Sequence, residues 1–151
     1  TSEFFVGGGT MFAAIPMKEV SQEDVIFNFL PVDSIGYFPS GGIETGFVLN
    51  AGTEITSPTD ELAPTLKLGT RVVGWLPIKP ISGSTLLYES DYRATTLLGF
   101  IIDYTIMEGV SVQNPEENLI YFGMDLTKLN GNNNMREFLD YMCIQKLGFQ
   151  N

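Results

Sequence analysis

The sequence predicts a mainly β protein, an antiparallel β-sandwich or β-barrel with one C-terminal α-helix. Three observations lead to this fold class. Short apolar segments are rich in β-branched and aromatic residues, clusters of Gly, Pro and Asn separate them, and helical periodicity occurs only near the C-terminus. No helical pattern lies between the strands, which argues against βαβ units, and no repeat marks a solenoid or propeller.

The longest apolar segment, residues 95–112, predicts the central strand of the sheet. Its β-branched and aromatic content favours a strand over a helix. Alternate residues from Phe100 to Ile106 form an apolar face, whereas Asp103 and Thr105 lie on the opposite, mixed face.

The N-terminal region, about residues 1–15, predicts an apolar arm on a single β-rich domain that spans residues 1–151. Gly7, Gly8 and Gly9 separate two apolar pieces and indicate a flexible hinge. Such an arm would dock on a neighbouring subunit or fold back on its own domain. The predicted interface residues are Phe4, Phe5, Val6, Met11 and Phe12.

The remaining elements follow from turn residues and periodicity. Further strands are predicted at residues 25–32, 46–52, 66–78, 85–89 and 119–124, between loops rich in Gly, Pro and Asn. In the terminal helix Asn134 is the predicted N-cap and Gly148 the terminator. The apolar face of that helix carries Met135, Phe138, Leu139 and Met142.

Composition points to subunit contacts and away from several partners. Charged residues make up 17% of the chain, below the roughly 25% usual for globular domains, and the mean hydropathy is +0.11. Either part of the surface is covered by another subunit or one core is unusually well filled. The net charge of −10 disfavours nucleic acids and anionic membrane surfaces as partners.

The sequence shows no signal peptide and no apolar run of the ~20 residues that a spanning helix requires. A single cysteine, Cys143, permits no internal disulfide and fits a reducing compartment. Its position in the terminal helix predicts a buried apolar role.

The absence of histidine limits the possible chemistry. It removes Ser-His-Asp and Cys-His catalysis and most protein zinc sites, and no cofactor or metal motif is present. No catalytic residue is assigned. Carboxylates remain available to an enzyme: Asp103, Glu108, Glu89 and Asp91, of which Asp103 stands out because an apolar run surrounds it.

Segment 66–74, LKLGTRVVG, contains Leu66, Gly69, Thr70 and Val72 in the order leucine-x-x-glycine-threonine-x-hydrophobic. This pattern resembles turns of tailed-bacteriophage head-decoration proteins. The resemblance implies a virion role, as a capsid decoration protein or another head, neck or tail component, assembled in the host cytoplasm. It assigns no role to any single residue.

The leading hypothesis is therefore a non-enzymatic structural subunit of a viral particle, which forms homo-oligomers and contacts other virion proteins. The alternative is a small-molecule or carbohydrate-binding β-barrel, with candidate binding residues Trp75, Tyr88, Asp103 and Tyr104. A histidine-free carboxylate enzyme that uses Asp103 is the third possibility.

Overall fold

A computed structural model describes residues 3–15, 28–33, 47–51, 53–69, 77–96 and 101–149. For residues 47–51, 92–96 and 101–106 it describes the backbone alone. Within these ranges, no helix has the length and apolar character needed to cross a bilayer.

The mainly β fold class with a C-terminal helix is confirmed. The strands are β1 (Glu3–Gly7), β2 (Thr10–Ala14), β3 (Phe47–Ala51), β4 (Glu54–Ile55), β5 (Leu66–Lys67), β6 (Thr85–Thr96), β7 (Ile101–Gln113) and β8 (Leu119–Phe122). Six of them form one sheet in the order β1-β2-β8-β7-β6-β3, and β4 pairs with β5 in a small second sheet. Neighbours in the main sheet are antiparallel except β2 and β8, which are parallel and lie far apart in the chain.

The predicted central strand is divided between two elements. Thr95 and Thr96 end β6, whereas the strand pairing of β7 begins at Ile101. β6 also continues through Asp91 and Arg93, where the sequence predicted a break after Glu89. Long antiparallel pairing with β7 supports these polar residues in a strand, because sheet propensity depends on cross-strand neighbours.

The glycine-rich segment is a β-turn, which corrects the expectation of a flexible hinge. Gly8 and Gly9 have φ angles of 56° and 81°, and they connect β1 to β2 in an antiparallel hairpin. Positive φ at both central residues is what the favoured two-residue hairpin turn requires. The Thr10 hydroxyl donates a 2.7 Å hydrogen bond to the Gly7 carbonyl. The predicted arm is therefore a pair of strands built into the main sheet.

The terminal helix comprises α1 (Gly131–Leu139) and a π-helical continuation (Asp140–Lys146), after a 3₁₀ turn at Leu126–Lys128. It begins before the predicted cap at Asn134, whose side-chain amide donates to the Asn130 carbonyl at 2.6 Å. The Asn134 side chain also accepts from the Lys67 amide at 3.3 Å, so contacts with β5 support the polar first turn. Gly148, with φ 71°, follows the helix as predicted.

The main core lies between one face of the sheet and the terminal helix. Phe138 is fully buried at its centre, and its ring centroid lies 5.8 Å from Phe12, 5.8 Å from Tyr88 and 4.7 Å from Phe122. Cys143 is buried in the same cluster, as predicted. This aromatic contact network fixes the helix across the sheet.

A smaller apolar cluster covers the opposite face of the sheet. It comprises Ala13, Ile15, Leu30, Val32, Ile78, Val112 and Tyr121. The Tyr121 hydroxyl donates to the Ile15 carbonyl at 2.7 Å. Val32 forms an isolated bridge with Pro80, and Ile78 forms another with Gly109. The strand predicted at residues 25–32 is wrong in its described part, because residues 28–31 form turns and bends and only Val32 makes a bridge. Residues 25–27, and residues 70–76 of the strand predicted at 66–78, lie outside the described residues.

Candidate interaction surface

The direction of the backbone groups in β2 identifies the free edge of the sheet. The Met11 amide donates to the Asn118 carbonyl at 2.8 Å, and the Ile15 amide donates to the Phe122 carbonyl at 3.0 Å. Odd-numbered residues of β2 therefore direct their backbone groups toward β8. Because successive residues of a strand direct these groups to opposite edges, the even-numbered residues direct theirs toward β1.

The backbone groups of Phe4 and Val6 consequently point away from the sheet. Phe5 is opposite Phe12, an even-numbered residue of β2, so this pair exchanges hydrogen bonds inside the hairpin. Phe4 and Val6 alternate with Phe5 and present their amides and carbonyls outward. Among the described residues, no strand pairs with this outer edge of β1.

The side chains of β1 are large, apolar and exposed. The exposed fraction is 47% for Phe4, 37% for Phe5 and 72% for Val6. Met11, opposite Val6, is partly buried against the smaller cluster. Four of the predicted interface residues therefore have accessible surface. The prediction for the fifth is wrong, because Phe12 is completely buried under the terminal helix.

A groove adjoins the free edge at the tip of the hairpin. Residues 6–8 and Thr10 line one side, and Leu147, Gly148 and Phe149 line the other, around a cavity of about 480 Å³. None of these residues has an ionisable side chain. The groove therefore lies between the tip of the hairpin and the end of the helix and carries no side-chain charge.

β1 carries little that would prevent association with another strand. Its single charged residue is Glu3, and the strand contains neither lysine nor proline. Lysine, proline and bulges are the devices that usually block edge-to-edge pairing. One carboxylate oxygen of Glu3 is shielded from water and has no hydrogen-bond partner among the described residues.

Of the four predicted ligand-binding residues, the structure describes the side chain of Tyr88 alone. Tyr88 is fully buried, its hydroxyl donates to the Pro64 carbonyl at 2.7 Å, and burial raises its pKa above the ordinary value. It is therefore a core residue. Asp103 lies opposite Arg93 in the β6–β7 pairing. Trp75 and the side chains of Asp103 and Tyr104 lie outside the described part of the chain.

Two of the predicted carboxylates interact electrostatically. Burial raises the pKa of both Glu89 and Glu108, and the charge of Glu89 raises the pKa of Glu108 further. Glu89 is opposite Gly109, and Glu108 is opposite Ser90, in the paired strands β6 and β7. The sequence identified both carboxylates as candidates but contained no signal that they were neighbours.

A polar cluster that sequence reasoning missed connects a loop to the terminal helix. The Tyr141 hydroxyl donates to the Asp60 carboxylate at 2.9 Å, and the Lys146 ammonium lies 3.3 Å from the same oxygen. The Tyr141 hydrogen bond is the main cause of a lowered Asp60 pKa, whereas burial and then Asp60 raise the pKa of Tyr141. Tyr141 therefore stays protonated at neutral pH and holds the loop against the helix.

Within the described residues, no group of three or more Asp, Glu or Cys side chains is arranged to hold a metal ion. No family model, curated protein or solved structure matches the chain. Within the described part of the chain, the free edge of β1 is the most distinctive feature.

Proposed function

We propose that the protein is a non-enzymatic structural subunit that associates with copies of itself through the free edge of β1. The observation that carries this proposal is the exposure of Phe4, Phe5 and Val6 on a strand whose outer backbone groups are unpaired among the described residues. Exposed apolar area and an unprotected sheet edge both favour association. The low charged fraction of 17% supports the same conclusion.

The particle that we propose for this subunit is a virion, in which it serves as a capsid decoration protein or another head, neck or tail component. The support is the resemblance of segment 66–74 to head-decoration proteins. In the described part of that segment, Leu66 and Lys67 form β5, and the Gly69 amide donates to the Lys128 carbonyl at 2.9 Å. Assembly would take place in the host cytoplasm, together with other virion proteins.

The experiment that tests self-association is the absolute mass of the chain in solution, measured by light scattering over a concentration series. We expect the wild-type mass to rise above the 16.7 kDa of one chain as concentration increases. Val6→Lys places a charge on the edge and should keep the chain monomeric, because an edge lysine opposes strand pairing.

Leu62→Lys is the matched control for that experiment. Leu62 is 93% exposed and lies in the loop between β4 and β5, so the variant introduces the same charge on apolar surface away from β1. It should associate like the wild type. A wild-type chain that stays monomeric at every concentration would contradict the proposal.

The small-molecule-binding alternative has less support in the described residues. Of its candidate side chains, only Tyr88 is described, and that side chain is fully buried. The alternative predicts that sugars or lipids bind the isolated chain. The carboxylate-enzyme hypothesis predicts turnover that Asp103→Asn abolishes.

A further inference from the structure

We infer that the partner of β1 is the β1 strand of a second copy, paired antiparallel about a two-fold axis at Phe5. This pairing would join two six-stranded sheets into one continuous sheet. The inference rests on the proposed self-association and deepens it, because it names the strand and the register that form the contact.

The outward backbone groups of β1 determine which registers are possible. In an antiparallel pair, hydrogen bonds form where residues with groups pointing at each other are directly opposite. An axis at Phe5 places Phe4 opposite Val6 of the second copy, and both residues point outward. Each Phe4–Val6 pair then exchanges both of its backbone hydrogen bonds, and Phe5 occupies a non-hydrogen-bonded position.

Other registers give the outward backbone groups of β1 fewer hydrogen bonds or a shorter strand overlap. A slip of one residue places the outward-pointing Phe4 or Val6 opposite a residue whose groups point into its own hairpin, so no hydrogen-bonded pair forms. A slip of two residues keeps the hydrogen-bond pattern but shortens the overlap of the two strands. The axis at Phe5 alone pairs the whole of Glu3–Gly7 with itself.

The side chains agree with this register on both faces of the sheet. Phe5 meets Phe5 of the second copy at the non-hydrogen-bonded position, where cross-strand side chains are closest. The Phe5 and Phe12 ring centroids are 5.9 Å apart, and Phe12 lies 5.8 Å from Phe138. The aromatic contacts of one core would therefore continue through Phe5 into the other core. On the opposite face, Phe4 packs beside Val6.

This register also keeps the carboxylates of the two strands from facing each other. Each chain carries a net charge of −10, so an interface that placed carboxylates opposite each other would be unfavourable. Glu3, the one charged residue of β1, is instead opposite Gly7, which has no side chain. The short strand implies an association that depends on concentration.

Disulfide formation between introduced cysteines tests the register. In a Cys143→Ala background, Phe5→Cys places two thiols at a non-hydrogen-bonded pair, where the Cα separation of about 4.5 Å suits a disulfide. We expect it to form a covalent dimer at least about tenfold faster than Leu62→Cys, because pairing raises the effective thiol concentration. A mixture of Phe4→Cys and Val6→Cys chains should form the heterodimer in preference to either homodimer.

Hydrogen exchange on the wild-type chain provides a measurement without any substitution. The amides of Phe4 and Val6 should exchange more slowly as concentration rises. The Phe5 amide, which the hairpin already protects, should show a smaller concentration dependence.

The outcomes separate this inference from the proposed function. Rapid Phe5→Cys cross-linking and concentration-dependent protection of Phe4 and Val6 support the two-fold β1 contact. Wild-type association without either result would overturn the contact but leave self-association intact. A wild-type monomer at all concentrations would overturn both.

Discussion

β1 and β2 are the two strands of one hairpin, and they are similar in sequence but opposite in environment. β2 has a paired strand on each side, and its residues Phe12, Ala13 and Ala14 have no exposed surface. β1 has a strand on one side only, and Phe4 and Val6 are 47% and 72% exposed. The same kind of apolar strand therefore supports the core in one position and forms an accessible surface in the other.

This difference shows that burial in a sheet depends on neighbours more than on composition. β2 is buried because β8 pairs with it in parallel and the terminal helix covers its Phe12 face. No described strand covers β1 in the same way. Stability should therefore depend on interior positions, whereas association should depend on the edge.

The largest expected effect is at Phe12, compared with Phe4 in the neighbouring strand. Phe12→Ala should lower the free energy of unfolding by about 3–5 kcal/mol, because it leaves a cavity beside Phe138. Phe4→Ala should cost less than about 1 kcal/mol at concentrations where the chain is monomeric. Urea unfolding measures both, and equal losses would contradict the distinction between interior and edge.

Gly109, in the middle of the sheet, and the exposed Gly69 provide a second comparison between an interior and an exposed position. A Cβ atom on Gly109 would lie 2.7 Å from the Ile78 carbonyl oxygen and 2.8 Å from a Leu86 methyl carbon. Gly109→Ala should therefore destabilise by about 1–3 kcal/mol through overpacking. At the exposed Gly69, the nearest atoms to an added Cβ are 3.8 Å away, so Gly69→Ala is the control. Thermal unfolding measures both variants. Equal decreases in their midpoints would show that Ile78 and Leu86 move to accommodate the added methyl group.

The charge of Glu108, within the sheet, should have a smaller effect on stability, and that effect should depend on pH. Burial raises the pKa of Glu108 in the folded state, so its ionisation opposes folding as pH rises above 4.5. Glu108→Gln should raise the midpoint of thermal unfolding at pH 7, and this gain should disappear below about pH 4.5. Glu61→Gln removes the same charge from an exposed loop residue and should change little. A gain at Glu108 that persisted in acid would exclude ionisation as its cause.

The smallest expected effect is at Asp60, outside the main sheet, and it has the opposite sign. The Tyr141 hydrogen bond lowers the pKa of Asp60 in the folded state. The charged carboxylate therefore stabilises the fold at pH values above 3.8, the pKa of Asp60 in the unfolded chain. That contribution is lost as pH falls through the folded-state pKa. Asp60→Asn should lower the unfolding midpoint at pH 7 and converge with the wild type in stronger acid.

Asp33→Asn is the control for Asp60→Asn. It removes an ion pair with Lys79, 3.5 Å long, in which both side chains are 53% exposed. Exposed pairs contribute little to stability. An equal loss in the two variants at pH 7 would indicate that the Tyr141 contact adds nothing.

Sequence reasoning identified part of the candidate surface, namely the apolar residues Phe4, Phe5 and Val6. It also assigned Phe12 to that surface, because local sequence does not distinguish a buried apolar residue from an exposed one. Phe12 is instead covered by Phe138, which is far away in the chain. The Tyr141–Asp60 contact was invisible for the same reason, since it joins residues 81 positions apart.

The sequence by itself determined the mainly β class, the strand predicted at residues 119–124 and observed at Leu119–Phe122, and the C-terminal helix that Gly148 follows. These features depend on local periodicity, turn residues and glycine conformation, which neighbouring residues specify. The turn at Gly8 and Gly9 is also local, because it joins two strands that are adjacent in sequence. Tertiary structure decided that β2 pairs with β8 and that β1 is left at the edge. Pairing between distant strands determines those outcomes, and no local sequence window contains both partners.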